Sequence, residues 1–184
     1  MCIYIMAKTG KYDDLGPVYM VDEHYNAFKD ILKNYTSQHK ILEIGSLRGR
    51  SAIHMLSCNQ NIKITCLDIW ENHQIEIFLE NIQRYDLKNR INSIKDTSAN
   101  IKKYFSDSSV DFIYLDASHK YKIVLNDLHL CYDILKPNGL ILGDDYHMPD
   151  VNKAVNEIIQ EKKYKIIWLK KHLYFMKPNK IKIL

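Results

Sequence analysis

The chain has 184 residues, of which 46% are hydrophobic and 26% charged, with a formal net charge of +4. This is the size of one domain with a sizeable core, and the composition excludes a disordered or fibrous chain. The lysines behind the mild positive excess cluster late (Lys162, Lys163, Lys170, Lys171, Lys177, Lys180, Lys182) without an aromatic-plus-arginine stripe, so they read as a solvated face and no nucleic-acid partner is expected.

Cys2, Cys58, Cys66 and Cys131 form no CxxC pair and no metal spacing, which suits a reducing compartment. The apolar run from Met1 to Met6 is short for a signal-peptide core, and no segment reaches the length of a membrane span. A cytoplasmic protein with no membrane partner is expected.

From about Asp22, the residues Tyr25, Phe28, Ile31, Leu32 and Tyr35 recur at helical spacing and predict a helix before the first strand. Lys40 to Ile44 reads as a strand ending at Gly45, Arg50 to Ser57 as a helix, and Lys63 to Ile69 as a second strand. Ile75 to Tyr85 is helical, Ile91 to Ile94 a third strand, and Ser98 to Phe105 a short helix. Val110 to Leu115 is apolar enough for a strand buried on both faces. A helix over Tyr121 to Leu135 is stopped by Lys136-Pro-Asn-Gly139, and Leu140 to Gly143 is the fifth strand. After a helix from Val151 to Lys162 come two strands, Lys165–Leu169 and Leu173–Met176, joined as a hairpin through Lys170-Lys171-His172. No repeat or linker divides the chain, so residues 1–184 read as one domain, with 1–21 as an N-terminal segment. The stretch from Tyr12 to Glu23 is the candidate lid.

Alternating strands and helices predict an α/β fold, a mostly parallel, doubly wound, Rossmann-like sheet that binds ligands beyond the carboxyl ends of its strands. Polar residues at those ends are Glu43, Gly45 and Ser46; Asp68; Asp96; Asp116, Ser118 and His119; and Asp144 with Asp145. An acid at every strand end is unexpected for folding alone, because gathered like charges cost energy unless a cation or donors compensate. In the first turn Gly45 permits a tight bend, and Gly49 opens the next helix. The loop lacks the second glycine of a pyrophosphate-binding pattern and carries Glu43, which suits a cationic ligand end such as the amino group of a methionine moiety. Asp68, about twenty residues on, is placed to take ribose hydroxyls. Asp96 is placed for an adenine amino group or, equally well, for a helix N-cap. Three carboxylates at neighbouring strand ends, Asp116, Asp144 and Asp145, make an oxygen-rich site suited to Mg²⁺.

Three stretches carry a family resemblance: Ile41-Leu-Glu-Ile-Gly-Ser-Leu-Arg-Gly-Arg-Ser51, Val110-Asp-Phe-Ile-Tyr-Leu-Asp-Ala-Ser-His119 and Leu135-Lys-Pro-Asn-Gly-Leu-Ile-Leu-Gly-Asp-Asp-Tyr146. Together they resemble class I S-adenosylmethionine-dependent methyltransferases, in the branch of the macrocin O-methyltransferase and cephalosporin hydroxylase-like proteins. The resemblance implies a seven-stranded sheet with its last strand antiparallel, and S-adenosylmethionine as cofactor. It also implies metal-assisted O-methylation of a small hydroxyl acceptor such as a sugar. In metal-using members, an aspartate after the fourth strand and an Asp-Asp pair after the fifth hold a divalent ion; these match Asp116, Asp144 and Asp145. Cofactor contacts fall to Glu43, Gly45, Ser46, Asp68, Asp96 and Asp116. Some members place a catalytic aspartate two positions past the first ligand, where this chain has Ser118 followed by His119. A neutral imidazole is a competent base near neutral pH, so His119 takes that role beside Asp116, with His147 as second candidate.

Two rival readings stand beside this one. A nicotinamide-dependent reductase can point to the Tyr132-x-x-x-Lys136 spacing, although Lys136 falls at a helix end away from the strand-end cleft. A non-catalytic, cofactor-binding partner subunit is the other rival, and the short chain favours it slightly, since larger relatives carry extra segments that close over the substrate. Oligomeric state is open, and some of the thirteen tyrosines are available to a homo-oligomer interface.

Overall fold

A computed structural model describes residues 22–161 and 163–180. Among them are five α-helices and seven strands: α1 (Asp22–Leu32), β1 (Ile41–Ile44), α2 (Arg50–Cys58), β2 (Ile64–Asp68), α3 (Gln74–Arg84), β3 (Ile91–Lys95), a 3₁₀ helix (Ser98–Lys103), β4 (Val110–Leu115), α4 (Tyr121–Ile134), β5 (Leu135–Gly143), α5 (Pro149–Gln160), β6 (Tyr164–Leu169) and β7 (Tyr174–Pro178). The strands form one sheet in the order β3-β2-β1-β4-β5-β7-β6. The first five are mutually parallel, while β7 lies between β5 and β6 and runs antiparallel to both. The expected doubly wound sheet and its terminal hairpin are therefore present.

The period-two alternation of the central strands sorts their side chains to two faces. On one face Ile41, Ile64, Cys66, Phe112, Tyr114 and Leu142 pack under Phe28, Leu32, Ile53, Met55 and Phe78 of α1, α2 and α3. On the other, Leu42, Ile44, Leu67, Ile113, Leu115 and Ile141 pack under Val124, Leu128, Ala154 and Ile158 of α4 and α5. Helices cover both faces, which is why the strands read as nearly continuous apolar runs. Strand order reverses between β1 and β4, and this opens a crevice above their carboxyl ends.

Two boundaries differ from the sequence reading. The fifth strand begins at Leu135, directly after α4, instead of at Leu140. Leu135 pairs with Val110, and the register then slips before Phe112 meets Leu140. Proline has no N–H to donate, and Pro137 is tolerated because β7 pairs with β5 only over Ile141–Gly143. Helix α1 stops at Leu32, short of Tyr35, where the Asn59 amide donates to the carbonyls of both Leu32 and Tyr35 at 2.7 and 2.8 Å. Among the described residues no helix is long and apolar enough to cross a membrane.

Candidate functional site

The crevice is built around Gly45. Its φ of +91° belongs to the left-handed region, and a Cβ there would lie 1.9 Å from the carbonyl oxygen of Asp116. The turn after β1 is thereby pressed onto the chain leaving β4, joining the two halves of the site. Below this turn Glu43 is fully buried; its carboxylate accepts hydrogen bonds from the Ser51 hydroxyl and, at 3.4 Å, from the Cys66 thiol, and Ser46 is buried nearby. Burial pushes the Glu43 carboxyl above its ordinary range, against the opposing pull of Ser46, Ser51 and Cys66. Glu43 thus underpins the turn from inside the core.

Asp68, at the last position of β2, receives one amide on each oxygen: Leu47 N–H on Oδ2 and Trp70 N–H on Oδ1, both at 2.8 Å. The Trp70 indole N–H closes the ring by donating to the Leu47 carbonyl at 2.7 Å. Leu47 and Trp70 have positive φ of 43° and 40°, an uncommon conformation for side-chain-bearing residues that these three bonds hold in place. A carboxylate has about four lone-pair positions, so Asp68 retains acceptor capacity for ribose hydroxyls. Asp96 accepts from the Thr97 amide, the Asn100 side chain and the Tyr104 hydroxyl, which hold its carboxyl below the ordinary range. Asp96 ties together the approach to the 3₁₀ helix, whose N-cap position is Thr97 and which has no side-chain capping bond there.

Across the crevice three carboxylates are gathered close together, and Asp116 has the poorest set of donors. Oxygen and nitrogen atoms of Asp116, His119 and Asp145 lie within 4.8 Å of one another. His119 Nε2 is 2.6 Å from Asp145 Oδ2, while His147 Nδ1 lies 3.9 Å from Oδ1 and its ring packs on His172. The Tyr114 hydroxyl is 3.3 Å from both Asp116 Oδ2 and Asp144 Oδ2, and a single hydroxyl proton can serve only one of them. Asp144 turns toward His24, whose Nε2 lies 2.8 Å from Oδ2, and its Oδ1 accepts the Asp145 amide at 2.7 Å. Burial, then the charges of Asp144, Asp145 and Glu43, push Asp116 well above the carboxylate range. Beneath these groups is a cavity of about 10 Å³, room for one water-sized sphere, whose wall includes Asp127.

The strand-end acids fall into two groups that the sequence does not distinguish: Glu43, Asp68 and Asp96 around the β1 and β2 turns, and Asp116, Asp144 and Asp145 beside the small cavity. Four contributors escaped the sequence reading. Tyr114 is hidden inside an apolar strand, Trp70 looks like core, Asp127 looks like a helix surface residue, and His24 lies 120 residues from its partner. For Tyr114 a usable signal exists: two positions before Asp116 on one strand, it shares that residue's face. The Lys136 ammonium binds Asp111 at 2.8 Å, at the start of β4 and therefore at the amino-terminal end of the parallel strands, which removes the reductase-like pair from their carboxyl ends. Of the candidate lid, residues up to 21 lie outside the described residues, and Asp22 and Glu23 open α1.

Comparison with known proteins agrees with this architecture. A family model described as a methyltransferase domain matches residues 42–146. An uncharacterized protein of Acanthamoeba polyphaga mimivirus is 32% identical over 87 residues; the match covers 45% of this chain and only 36% of that relative's length. Among solved structures, a protein of Staphylococcus aureus assigned as a caffeoyl-CoA O-methyltransferase superposes with a TM-score of 0.75 at 17% identity, covering 96% of this chain and 91% of its own. A methyltransferase of Podospora anserina with bound SAH gives 0.72 at 16%, covering 96% and 86%. An O-methyltransferase of Bacillus cereus in complex with SAH gives 0.70 at 17%, covering 91% and 85%. With the family model spanning the glycine turn, the β4 aspartate and the Asp-Asp pair, the chain belongs to the methyltransferase domain family and has its class I fold.

Proposed function

We propose that the protein transfers the methyl group of S-adenosylmethionine to a hydroxyl of a small molecule such as a sugar. The observation that supports this reading is the contact at Gly45, which abuts the cofactor side of the site, where Gly45, Asp68 and Asp96 would meet the nucleoside above the buried Glu43 and Ser46, onto the group of Asp116, His119 and Asp145. A sulfonium methyl donor and an acceptor hydroxyl need such adjacency, because alignment of two reactants in one cleft can supply several orders of magnitude in rate. The attacking oxygen forms the C–O bond as the carbon–sulfur bond breaks. The bonding pair goes to sulfur, leaving a neutral thioether, and the hydroxyl proton must go to a base. His119 takes that proton on Nδ1, with Asp145 orienting the imidazole through Nε2 at 2.6 Å.

The donor set fits a divalent cation. Ligand atoms of Asp116, His119 and Asp145 lie within 4.8 Å of one another, and Asp144 lines the same small cavity, so Asp116, Asp144 and Asp145 would hold the ion with oxygen donors once the Asp144 carboxylate faces it. Bound there, such an ion would lower the pKa of an acceptor hydroxyl and fix its direction. Calorimetry with S-adenosylmethionine, S-adenosylhomocysteine and NADH, with and without Mg²⁺, tests the proposal. Both adenosyl ligands should bind and NADH should not; a protein that ignores both adenosyl ligands refutes it. A transfer assay with labelled methyl donor against sugars and catechols then identifies the acceptor class.

A further inference from the structure

Helix α1 reaches into the acidic group at a point that the proposed chemistry leaves unexplained. His24 is 1% exposed, on a helix whose inner face packs on the domain mainly through Tyr25, Ala27, Phe28 and Leu32. Its imidazole leaves that apolar seam and meets Asp144 Oδ2 at 2.8 Å. Four residues on, Phe28 stacks edge-on against Tyr114 with centroids 4.9 Å apart, and Tyr114 in turn directs its hydroxyl at Asp116 and Asp144. At its outer end α1 is tied to the β6–β7 hairpin, with Lys170 Nζ at 3.3 Å from Glu23 Oε1. One helical face therefore touches the cluster twice, once at a ligand-type oxygen and once at the tyrosine between two of them.

We infer that His24 is a positioning residue for the cation site, donating a hydrogen bond that fixes the Asp144 carboxylate in the orientation the ion requires. This rests on the reading of Asp116, Asp144 and Asp145 as the cation's holders. The direction of the bond follows from chemistry: an ionised carboxylate only accepts, so the ring nitrogen donates. With the Asp145 amide on Oδ1 and His24 on Oδ2, both oxygens are held in place; Oδ1 keeps a lone pair for the ion, and Oδ2 keeps one when the Tyr114 proton sits on Asp116. Partners that orient a ligating carboxylate are worth about 10- to 100-fold in metal affinity.

The test is Mn²⁺ binding by calorimetry and by the paramagnetic resonance of the free ion, on the full chain and two variants. His24→Ala should weaken Mn²⁺ binding by about 10- to 100-fold. Its affinity for S-adenosylhomocysteine should be unchanged. His24→Gln, whose side-chain amide can donate in place of Nε2–H, should recover most of that loss. Unchanged Mn²⁺ affinity in His24→Ala overturns the inference alone, and so does a His24→Gln protein as weak as His24→Ala. An unaltered protein that binds no Mn²⁺ overturns the cation reading itself and this inference with it. Should His24→Ala not fold, the imidazole signals of the unaltered protein decide. Mn²⁺ should broaden the resonance that His24→Gln lacks, and an unbroadened signal refutes the assignment.

Discussion

On the β1–β2 side of the crevice every carboxylate is matched with donors: Asp68 holds two amides, Asp96 holds an amide, a carboxamide and a phenol, and Glu43 holds a hydroxyl and a thiol. On the β4–β5 side, Asp144 has the Asp145 amide and His24, and Asp145 has His119, but Asp116 shares one tyrosine hydroxyl with Asp144 at 3.3 Å and is driven up in pKa by burial and by its acidic neighbours. The first half is a finished mould, held in shape by protein–protein bonds. The second is electrostatically incomplete, and a proton or a cation must finish it. A site that binds a nucleoside needs the former; one that polarises a hydroxyl needs the latter.

The sharpest way to break this arrangement is at its joint. Gly45→Ala places a methyl group 1.9 Å from the Asp116 carbonyl, with backbone on both sides and a φ of +91°. Neither half can yield cheaply, so the variant should lose about 4 kcal/mol of stability or fail to fold, as measured by urea unfolding. A normally folded variant that binds cofactor normally would show that the halves are not in contact.

Asp116→Asn separates the halves by chemistry. It keeps the shape of the side chain but removes the charge that Asp144, Asp145 and Glu43 oppose. Turnover should fall by about 100-fold or more. Without added metal at neutral pH, stability should rise by about 1 kcal/mol, the exchange of function for stability that strained sites show. Loss of stability together with loss of activity would mean that Asp116 is compensated in the folded protein, contrary to the comparison above.

Asp127 gives a smaller, pH-dependent effect on the same side. It is 2% exposed on α4, and neither carboxylate oxygen receives a well-formed hydrogen bond. Burial pushes it up to about 6, with the nearby Ser98 hydroxyl pulling in the opposite direction. An acid whose folded pKa exceeds its unfolded value binds an extra proton when folded. Its contribution therefore favours folding at low pH and fades as pH rises from the ordinary carboxylate value through about 6. Asp127→Asn should thus be more stable than the parent at pH 7 by roughly 2 kcal/mol, and the gain should vanish near pH 4. Melting curves across that range decide it, and a gain independent of pH would point to packing instead.

How much of this was legible in the sequence follows from the range of each interaction. The strands, their order of appearance and the acids at their ends are local patterns, and Glu43, Asp68, Asp116, Asp144 and Asp145 could be read directly. The start of β5 at Leu135 was not, because Lys136-Pro-Asn-Gly139 carries every sign of a loop, and only the free edge beside Pro137 lets a strand run through it. His24 and Asp127 were missed for a related reason: one faces an oxygen 120 residues away and the other points inward from an ordinary helix. Local spacing does not encode which carboxylates will have donors, and that division is the main functional feature of the crevice.

Trp70→Phe is the mildest probe, and the one that asks whether the two halves are independent. Phenylalanine keeps the ring packed on Phe78 at 4.7 Å between centroids and deletes only the indole N–H that meets the Leu47 carbonyl at 2.7 Å. Leu47 is 45% exposed, so water can replace the lost donor, and the cost should stay near 1 kcal/mol. Because Asp68 still holds the Leu47 and Trp70 amides, the turn should loosen without collapsing. Affinity for S-adenosylhomocysteine should drop about five-fold, the equivalent of roughly 1 kcal/mol, while Mn²⁺ affinity stays the same. If Mn²⁺ affinity falls in step with cofactor affinity, strain at Leu47 is reaching Asp116 through Gly45, and the crevice behaves as one cooperative unit instead of a mould beside a charge trap.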